Sequence, residues 1–505
     1  MRSKLTISSG KSMFKFKLLA NLCLAAIVAT LGPIAVMAQQ KIVRLDGTVI
    51  SSAEADATVN RFLKDADVTG AAIGVIHDGE IVSLKGYGLR NKEKNLPLTA
   101  DSVISGASLT KSAFSYLVMT LVDAGSLDLD TPVQRYLSKP LPDYPNYADL
   151  ANDDRYKRIT ARMLLSHTAG FPNWRWFEDD RKLKIHFDPG TRYAYSGEGI
   201  DLLQLVVETI TKKPLEESMQ EFVFRRFGMT RTSLVWQEKF ESDSANGYDE
   251  YGRDLGPQKR TRADAAGSMK TTLRDFSLFI QGVMSGKGLT KKSWEEMFKP
   301  QVQISSKYQF PTFLPQTTEA NKAIRLSYGL GWGLYWTPYG EAFFKEGHDE
   351  GWRDYAVAFP AKKDALVILT NSSNGEGIYK DLLESLQANT FTPIEWEGFT
   401  PYQRLPPRPP LKVHKEIKLP PSLLDLYVGK YGQPGLVLEI RREGDHLSIQ
   451  ENDEPKQDIL AESQSDFFSK QSDDTITFQF DSETHAVRMI LHADGKDIFI
   501  RRLEK

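Results

Sequence analysis

Ser108 and Lys111 stand one helical turn apart in a stretch, from Ile104 to Leu117, whose residue types can make and break acyl bonds. Apolar residues follow at Ala113, Phe114, Leu117, Val118 and Leu121, the three- and four-residue spacing of a helix face. Residues i and i+3 share that face, so the hydroxyl and the ammonium point the same way. Ser108 falls at the helix start, where free N–H groups and the helix dipole favour developing negative charge. A serine hydroxyl is a weak nucleophile until a base takes its proton. A lysine that is partly desolvated and close to other cations is pushed toward its neutral form and can be that base. The motif is short, and Ser8 with Lys11 repeats it, so it needs structural context.

Other chemistries find less support. No Gly-x-Ser-x-Gly elbow occurs, which argues against an α/β-hydrolase triad. His77, His167, His186 and His348 show no paired ligand spacing, so no metal and no cofactor are expected. His77 reads as a surface residue, and His167 as a helix-end residue bonding nearby backbone. The single cysteine, Cys23, lies near the N-terminus, which leaves the rest of the chain without a disulfide or a thiol nucleophile. A net charge of −2 over 505 residues gives no electrostatic reason to expect nucleic acid or an anionic membrane as a partner. The expected partner is a small-molecule or peptide substrate, and the oligomeric state is left open.

The elements that position Ser108 come from both ends of the chain. Residues 71–84 read as two strands around a turn at Asp78-Gly79. A mostly helical middle follows. It includes a loop at 189–197 that opens a helix carrying Ile200, Leu203, Val206, Val207 and Ile210, and a helix capped by Thr272. Trp174, Trp176 and Phe177 are either core or the wall of a cleft. Between 326 and 371, short apolar runs return to strand spacing, and 378–388 is helical. The expected fold is α+β: one antiparallel sheet built from both chain ends, with helices packed on it and a helical subdomain.

Four segments follow from composition. Lys11, Lys15 and Lys17 precede an apolar run from Leu18 to Met37 that ends in small residues, the layout of a signal peptide cleaved after Ala38. An uncleaved anchor is the alternative, since the run is nearly long enough to span a membrane. Residues 1–38 are thus expected to direct the chain to a secreted or periplasmic location, with no stable membrane insertion after cleavage. The main domain is expected at 39–392 and a linker at 393–412, where 401–411 holds five prolines and should be extended and stiff. Short alternating runs at 413–505 indicate a small all-β domain.

In order, Gly86-Tyr87-Gly88, Ala107 to Lys111, Leu164 to Gly170, Pro189 to Ser196, Gly228 to Thr232, Ala265 to Met269 and Gly347 through Asn371 make the chain resemble the serine β-lactamase and penicillin-binding-protein superfamily. The resemblance covers residues 55–390 and is nearest to the branch of class C β-lactamases, D-aminopeptidases and esterases; 413–505 resembles the lipocalin-like domain often appended to it. It implies an acyl-forming nucleophile at Ser108, its base at Lys111, a proton-shuttling tyrosine at Tyr195, and the first position of the third motif at His348. It further implies an oxyanion hole from the N–H groups of Ser108 and Gly351, with Asn371 near the substrate. Two positions depart from the pattern. Gly197 stands where the family has the asparagine of Tyr-x-Asn, and Glu350 stands where the third motif has glycine. Glu198 is placed to replace part of the missing asparagine.

Two functions follow. One is a secreted serine hydrolase acting through a Ser108 acyl-enzyme on an ester, amide or β-lactam; loss of the asparagine weakens the amide and lactam cases and leaves simple esters. The other is a binding or sensing protein that captures a peptidoglycan fragment or β-lactam without turnover. The role of the C-terminal domain is left open between capping the cleft, binding a lipid or sugar, and assembly.

Overall fold

A computed structural model describes residues 41–505, apart from 434–435, 452–455, 481–486, 494–495 and 505; the expected leader at 1–38 lies outside the described residues. Three strands come from before the helical middle: β1 (Gly70–His77), β2 (Glu80–Asn91) and β3 (Leu96–Pro97). Six come after it: β4 (Val302–Gln303), β5 (Ser327–Tyr328), β6 (Gly333–Thr337), β7 (Gly340–Asp349), β8 (Trp352–Phe359) and β9 (Asp364–Thr370). They form one antiparallel sheet in the order β4-β5-β6-β7-β8-β9-β1-β2-β3. The two chain ends meet where β9 pairs with β1, Ile368 opposite Ile73. The β1–β2 turn places Asp78 at φ 48° and Gly79 at φ 82°, the two positive values a two-residue hairpin needs.

Strand alternation gives the sheet two apolar faces. Ala71, Ile73 and Val75 pack with α1 (Ser52–Asp65) and α5 (Tyr379–Gln387). Ala72 and Ile76 pack on the other face with α2 (Leu109–Asp123) and α4 (Leu273–Met284). Every residue of α2 from Leu109 to Leu121 is buried, so this helix is enclosed on all sides and runs inside the domain. Each fully buried Leu, Val or Phe on it contributes about 1.5–3 kcal/mol, which fixes the helix firmly. Gly331 shows how closely it is packed: a Cβ there would lie 1.8 Å from Ser115 Oγ.

Eight antiparallel strands between Gly429 and Glu504 pair in sequence order and close into a barrel, the first strand pairing with the last. Closure removes the sheet edges that would otherwise invite other strands. Its core holds Tyr431, Ile440, Phe467, Phe478 and Met489. The barrel meets the main domain where Arg253 pairs with Asp473 at 2.7 Å, and the proline-rich segment before it is held where Tyr251 donates to Pro409 O at 3.1 Å. Ile394, Trp396 and Phe399 pack into the core beneath the sheet, so the main domain continues past residue 392, into the span expected to be linker. Apolar side chains were hidden there by the proline-rich composition that follows them.

Candidate active site

Ser108 is the N-cap residue of α2, and its side chain makes no capping hydrogen bond. The hydroxyl is therefore left to Lys111, whose Nζ lies 3.0 Å from Ser108 Oγ. The same ammonium donates to Ala266 O at 2.6 Å, which ties it to the segment before α4. Ala107, just before Ser108, takes the left-handed conformation at φ 40°, a strained setting for a residue with a Cβ. The strain is held by hydrogen bonds on both sides. Gly106 N donates to Met269 O at 2.8 Å, and Thr110 Oγ1, which donates to Ala107 O at 2.5 Å, accepts from Met269 N at 3.0 Å.

Tyr195 is buried just before α3 (Gly197–Thr211), which Ser196 caps by accepting from Gly199 N at 2.9 Å. Lys345, on β7, donates to the Tyr195 hydroxyl at 3.1 Å. Lys111 Nζ and Lys345 Nζ sit 5.1 and 4.9 Å from the Tyr195 ring centroid, so two lysine side chains flank one phenol. Lys345 is wholly buried and paired with Glu346 at 2.8 Å. Burial works against its charged form, but the Glu346 carboxylate and Tyr195 outweigh that and hold its pKa above the ordinary lysine value. His167 lies against Tyr195, ring centroids 4.4 Å apart, and accepts from Ser196 N at 3.2 Å. Burial first, then Lys111 and Lys345, hold its pKa well below the usual range, so it stays neutral. It acts as a buried support for the tyrosine loop, in keeping with a helix-end residue bonded to backbone.

The third motif therefore falls three residues earlier than expected. Lys345-Glu346-Gly347 meets Tyr195, whereas the half-exposed His348 side chain pairs with Glu376 at 3.2 Å. Gly347 brings β7 against the nucleophile segment: a Cβ there would lie 2.8 Å from Gly106 O. The register, not the composition, hid this. Lys-x-Gly was present in the sequence, but His348-Asp-Glu-Gly also resembles the motif, and only the sheet pairing separates them. β6 pairs with β7 no further than Gly333 opposite Phe344, so residues 345–349 of β7 have β8 on one side only.

The remaining expected site residues make the following contacts. The Gly351 N–H donates to Ser373 Oγ at 2.9 Å inside the β7–β8 turn, so it is spent. Glu350 is exposed at the tip of that turn; partial desolvation and the carboxylates of Asp349, Glu250, Asp474 and Asp249 push it up to about 7. Asn371 is buried and gives both amide hydrogens to backbone, to Leu89 O at 3.1 Å and Asn246 O at 2.9 Å. Glu198 is buried in a two-pronged pair with Arg175, at 2.8 and 2.6 Å, and faces a loop rather than a cleft. Gly197 has no room for a side chain: a Cβ would lie 2.4 Å from Trp174 Cη2. An indole from a neighbouring loop thus occupies the space where the resemblance implied an asparagine side chain. Among the described residues, no group of three or more acidic, His or Cys side chains is arranged to hold a metal ion. No helix among them is long and apolar enough to cross a membrane.

The site thus brings together a serine on a buried helix, a lysine at its hydroxyl and a lysine-bonded tyrosine. The Beta-lactamase family profile matches residues 55–388, and a domain of unknown function (DUF3471) matches 413–502. Esterase EstB of Burkholderia gladioli is 29% identical over 213 residues, 37% of this chain and 52% of the esterase. This chain thus spans about half the length of that relative. Penicillin-binding protein 4* of Bacillus subtilis is 22% identical over 459 residues, covering 83% of this chain and 92% of its own. Among solved structures, the octameric penicillin-binding protein homologue from Pyrococcus abyssi superposes with a TM-score of 0.56 at 19% identity, covering 90% of this chain and 99% of its own. D-alanine carboxypeptidase AmpC from Burkholderia cenocepacia gives 0.53 at 20% identity, over 66% of this chain and 100% of its own. With the profile spanning most of the main domain, the chain belongs to the Beta-lactamase family, and those structures share its fold.

Proposed function

We propose that this protein is a secreted serine hydrolase that works through an acyl-enzyme on Ser108, with simple esters as its preferred substrates. The observation that carries the reading is the 3.0 Å contact between Lys111 Nζ and Ser108 Oγ beside the Lys345–Tyr195 pair. Ser108 Oγ attacks the carbonyl carbon, and its proton passes to Lys111 and on through Tyr195 to the leaving oxygen as the carbon–oxygen bond breaks. Water, deprotonated by the same groups, then cleaves the acyl-serine and releases the acid. Lys345, held charged by Glu346, stabilises negative charge on Tyr195. The Ser108 N–H, ahead of the α2 hydrogen-bond ladder, and the one-sided edge of β7 supply donors for the oxyanion. Esters are favoured because Gly197 offers no amide to pair with a peptide or lactam side chain. The basic, apolar and small-residue pattern of the leader supports export, and bacterial relatives agree with a periplasmic or extracellular setting.

The test is steady-state turnover of p-nitrophenyl acetate and of a penicillin by the protein and its Ser108→Ala and Lys111→Ala variants. Ester turnover that both variants lose supports the reading. Full turnover by Ser108→Ala would refute it, and an adduct that forms and never clears would favour the sensing alternative.

A further inference from the structure

We infer that the acyl side of the cleft is built to take a flat apolar group, so the substrate class is an ester of an aryl or arylalkyl carboxylic acid. This deepens, and rests on, the acyl-enzyme reading above.

Gly197 packs against Trp174. Its backbone lies directly under the Trp174 indole, and a Cβ would come within 2.6 Å of three of the ring's atoms. The ring also lies near the proposed nucleophile: Lys111 Nζ is 5.8 Å from its centroid and 3.0 Å from Ser108 Oγ. Trp176 stacks on Trp174, with centroids 4.7 Å apart and planes 9° from parallel, and carries the aromatic character out to the exposed surface. Phe177 stands edge-on to Trp176 at 6.2 Å. Across from them, Phe310 stands edge-on to Tyr195 at 5.5 Å. Trp176, Phe177 and Phe310 are 51%, 68% and 41% exposed. Single exposed aromatics are common on proteins, whereas contiguous ones beside a reactive group mark a ligand surface.

The wall is also fixed in place. Arg175, between the two tryptophans, gives its N–H and its guanidinium to buried Glu198 at 2.9, 2.8 and 2.6 Å. Asn173, just before Trp174, accepts from Gly197 N at 3.0 Å. The aromatic surface is thus held to the helix that follows Tyr195, and its position relative to Ser108 is set before substrate arrives. Rings stack best on flat apolar partners, and nothing at position 197 competes for a polar one. Ser108 Oγ would bond to the aroyl or arylacyl carbon, the leaving alcohol would take the proton, and water would release the arylcarboxylic acid.

Two measurements test this. In the first, kcat/KM is compared for p-nitrophenyl phenylacetate and p-nitrophenyl acetate. The ratio should fall about tenfold in Trp174→Ala and about threefold in Trp176→Ala, as expected for losing one stacked ring. Acetate turnover with an unchanged ratio would overturn the inference and leave the hydrolase reading standing. The second uses the Ser108→Ala variant, which needs no turnover: calorimetry should find phenylacetate at least tenfold tighter than acetate, with the difference lost in Ser108→Ala/Trp174→Ala. Equal binding of the two acids would overturn the inference even if no ester is turned over.

Discussion

Replacing Glu346 by glutamine should uncouple Lys345 from its charge. The two groups are buried and 2.8 Å apart, and Glu346 also accepts from Gln309 Nε2 at 3.2 Å. For unit charges at that separation, an effective dielectric constant of about 20 gives roughly 6 kcal/mol of attraction. The carboxylate spreads its charge over two oxygens, and glutamine keeps one hydrogen bond, so the net loss should be about 3–4 kcal/mol, near the 3–5 kcal/mol typical of a broken buried pair. The direction follows from Lys345: its pKa is raised, so its charge is present below that value and lost as pH rises through it. Without Glu346, burial dominates and the charge is lost at lower pH. The alkaline limb of log(kcat/KM) for an ester should therefore move down by about two to three pH units, at 1.36 kcal/mol per unit. Circular dichroism at each pH would confirm that the variant stays folded. A folded Glu346→Gln enzyme with an unmoved alkaline limb would refute the role given to Lys345.

Three further outcomes follow. Arg175→Ala leaves the Glu198 carboxylate buried and unpaired and should cost about 3–5 kcal/mol, read as a lower denaturation midpoint; a loss under about 1 kcal/mol would show that the pair is not what fixes the Trp174 loop. Asn371→Ala removes two donors from buried carbonyls, at about 1–3 kcal/mol each, and should lower the midpoint while leaving KM for an ester unchanged; a raised KM would return Asn371 to the substrate. Glu397 is buried, and burial and then Glu346 hold its pKa well above the ordinary glutamate range. The folded protein resists its ionisation more than the unfolded chain does, so stability falls as pH rises from the unfolded value toward the folded one. Glu397→Gln keeps an acceptor for Tyr355 and should lose less stability than the parent as pH rises above the usual glutamate range in thermal unfolding; parallel curves would contradict this.

The parts of this site that lie close in sequence were legible there. The Ser108–Lys111 contact follows from helical spacing, and the Asp78-Gly79 turn from the residues that tolerate positive φ. The α+β sheet of strands from both chain ends could also be read, since apolar strand runs bracket a helical middle. Contacts set by register were not. Whether Lys345 or His348 meets Tyr195 depends on how far β7 slides along β8, and both residues sit in motif-like strings. The aromatic residues at 174–177 left core and cleft open because burial depends on a loop fixed by Arg175 and Glu198, a pair 23 residues apart. The glycine at 197 looked like the loss of a function until the indole above it came into view.

If Ser108 carries the acyl group, the intermediate can be trapped on it. The protein would be mixed with excess p-nitrophenyl phenylacetate, quenched in acid within milliseconds to seconds, and analysed by intact mass and peptide mapping. One arylacyl adduct per chain is expected, on the peptide containing Ser108, absent from Ser108→Ala and cleared as substrate runs out. An adduct on any other residue, or product formation with no dependence on Ser108, would contradict it.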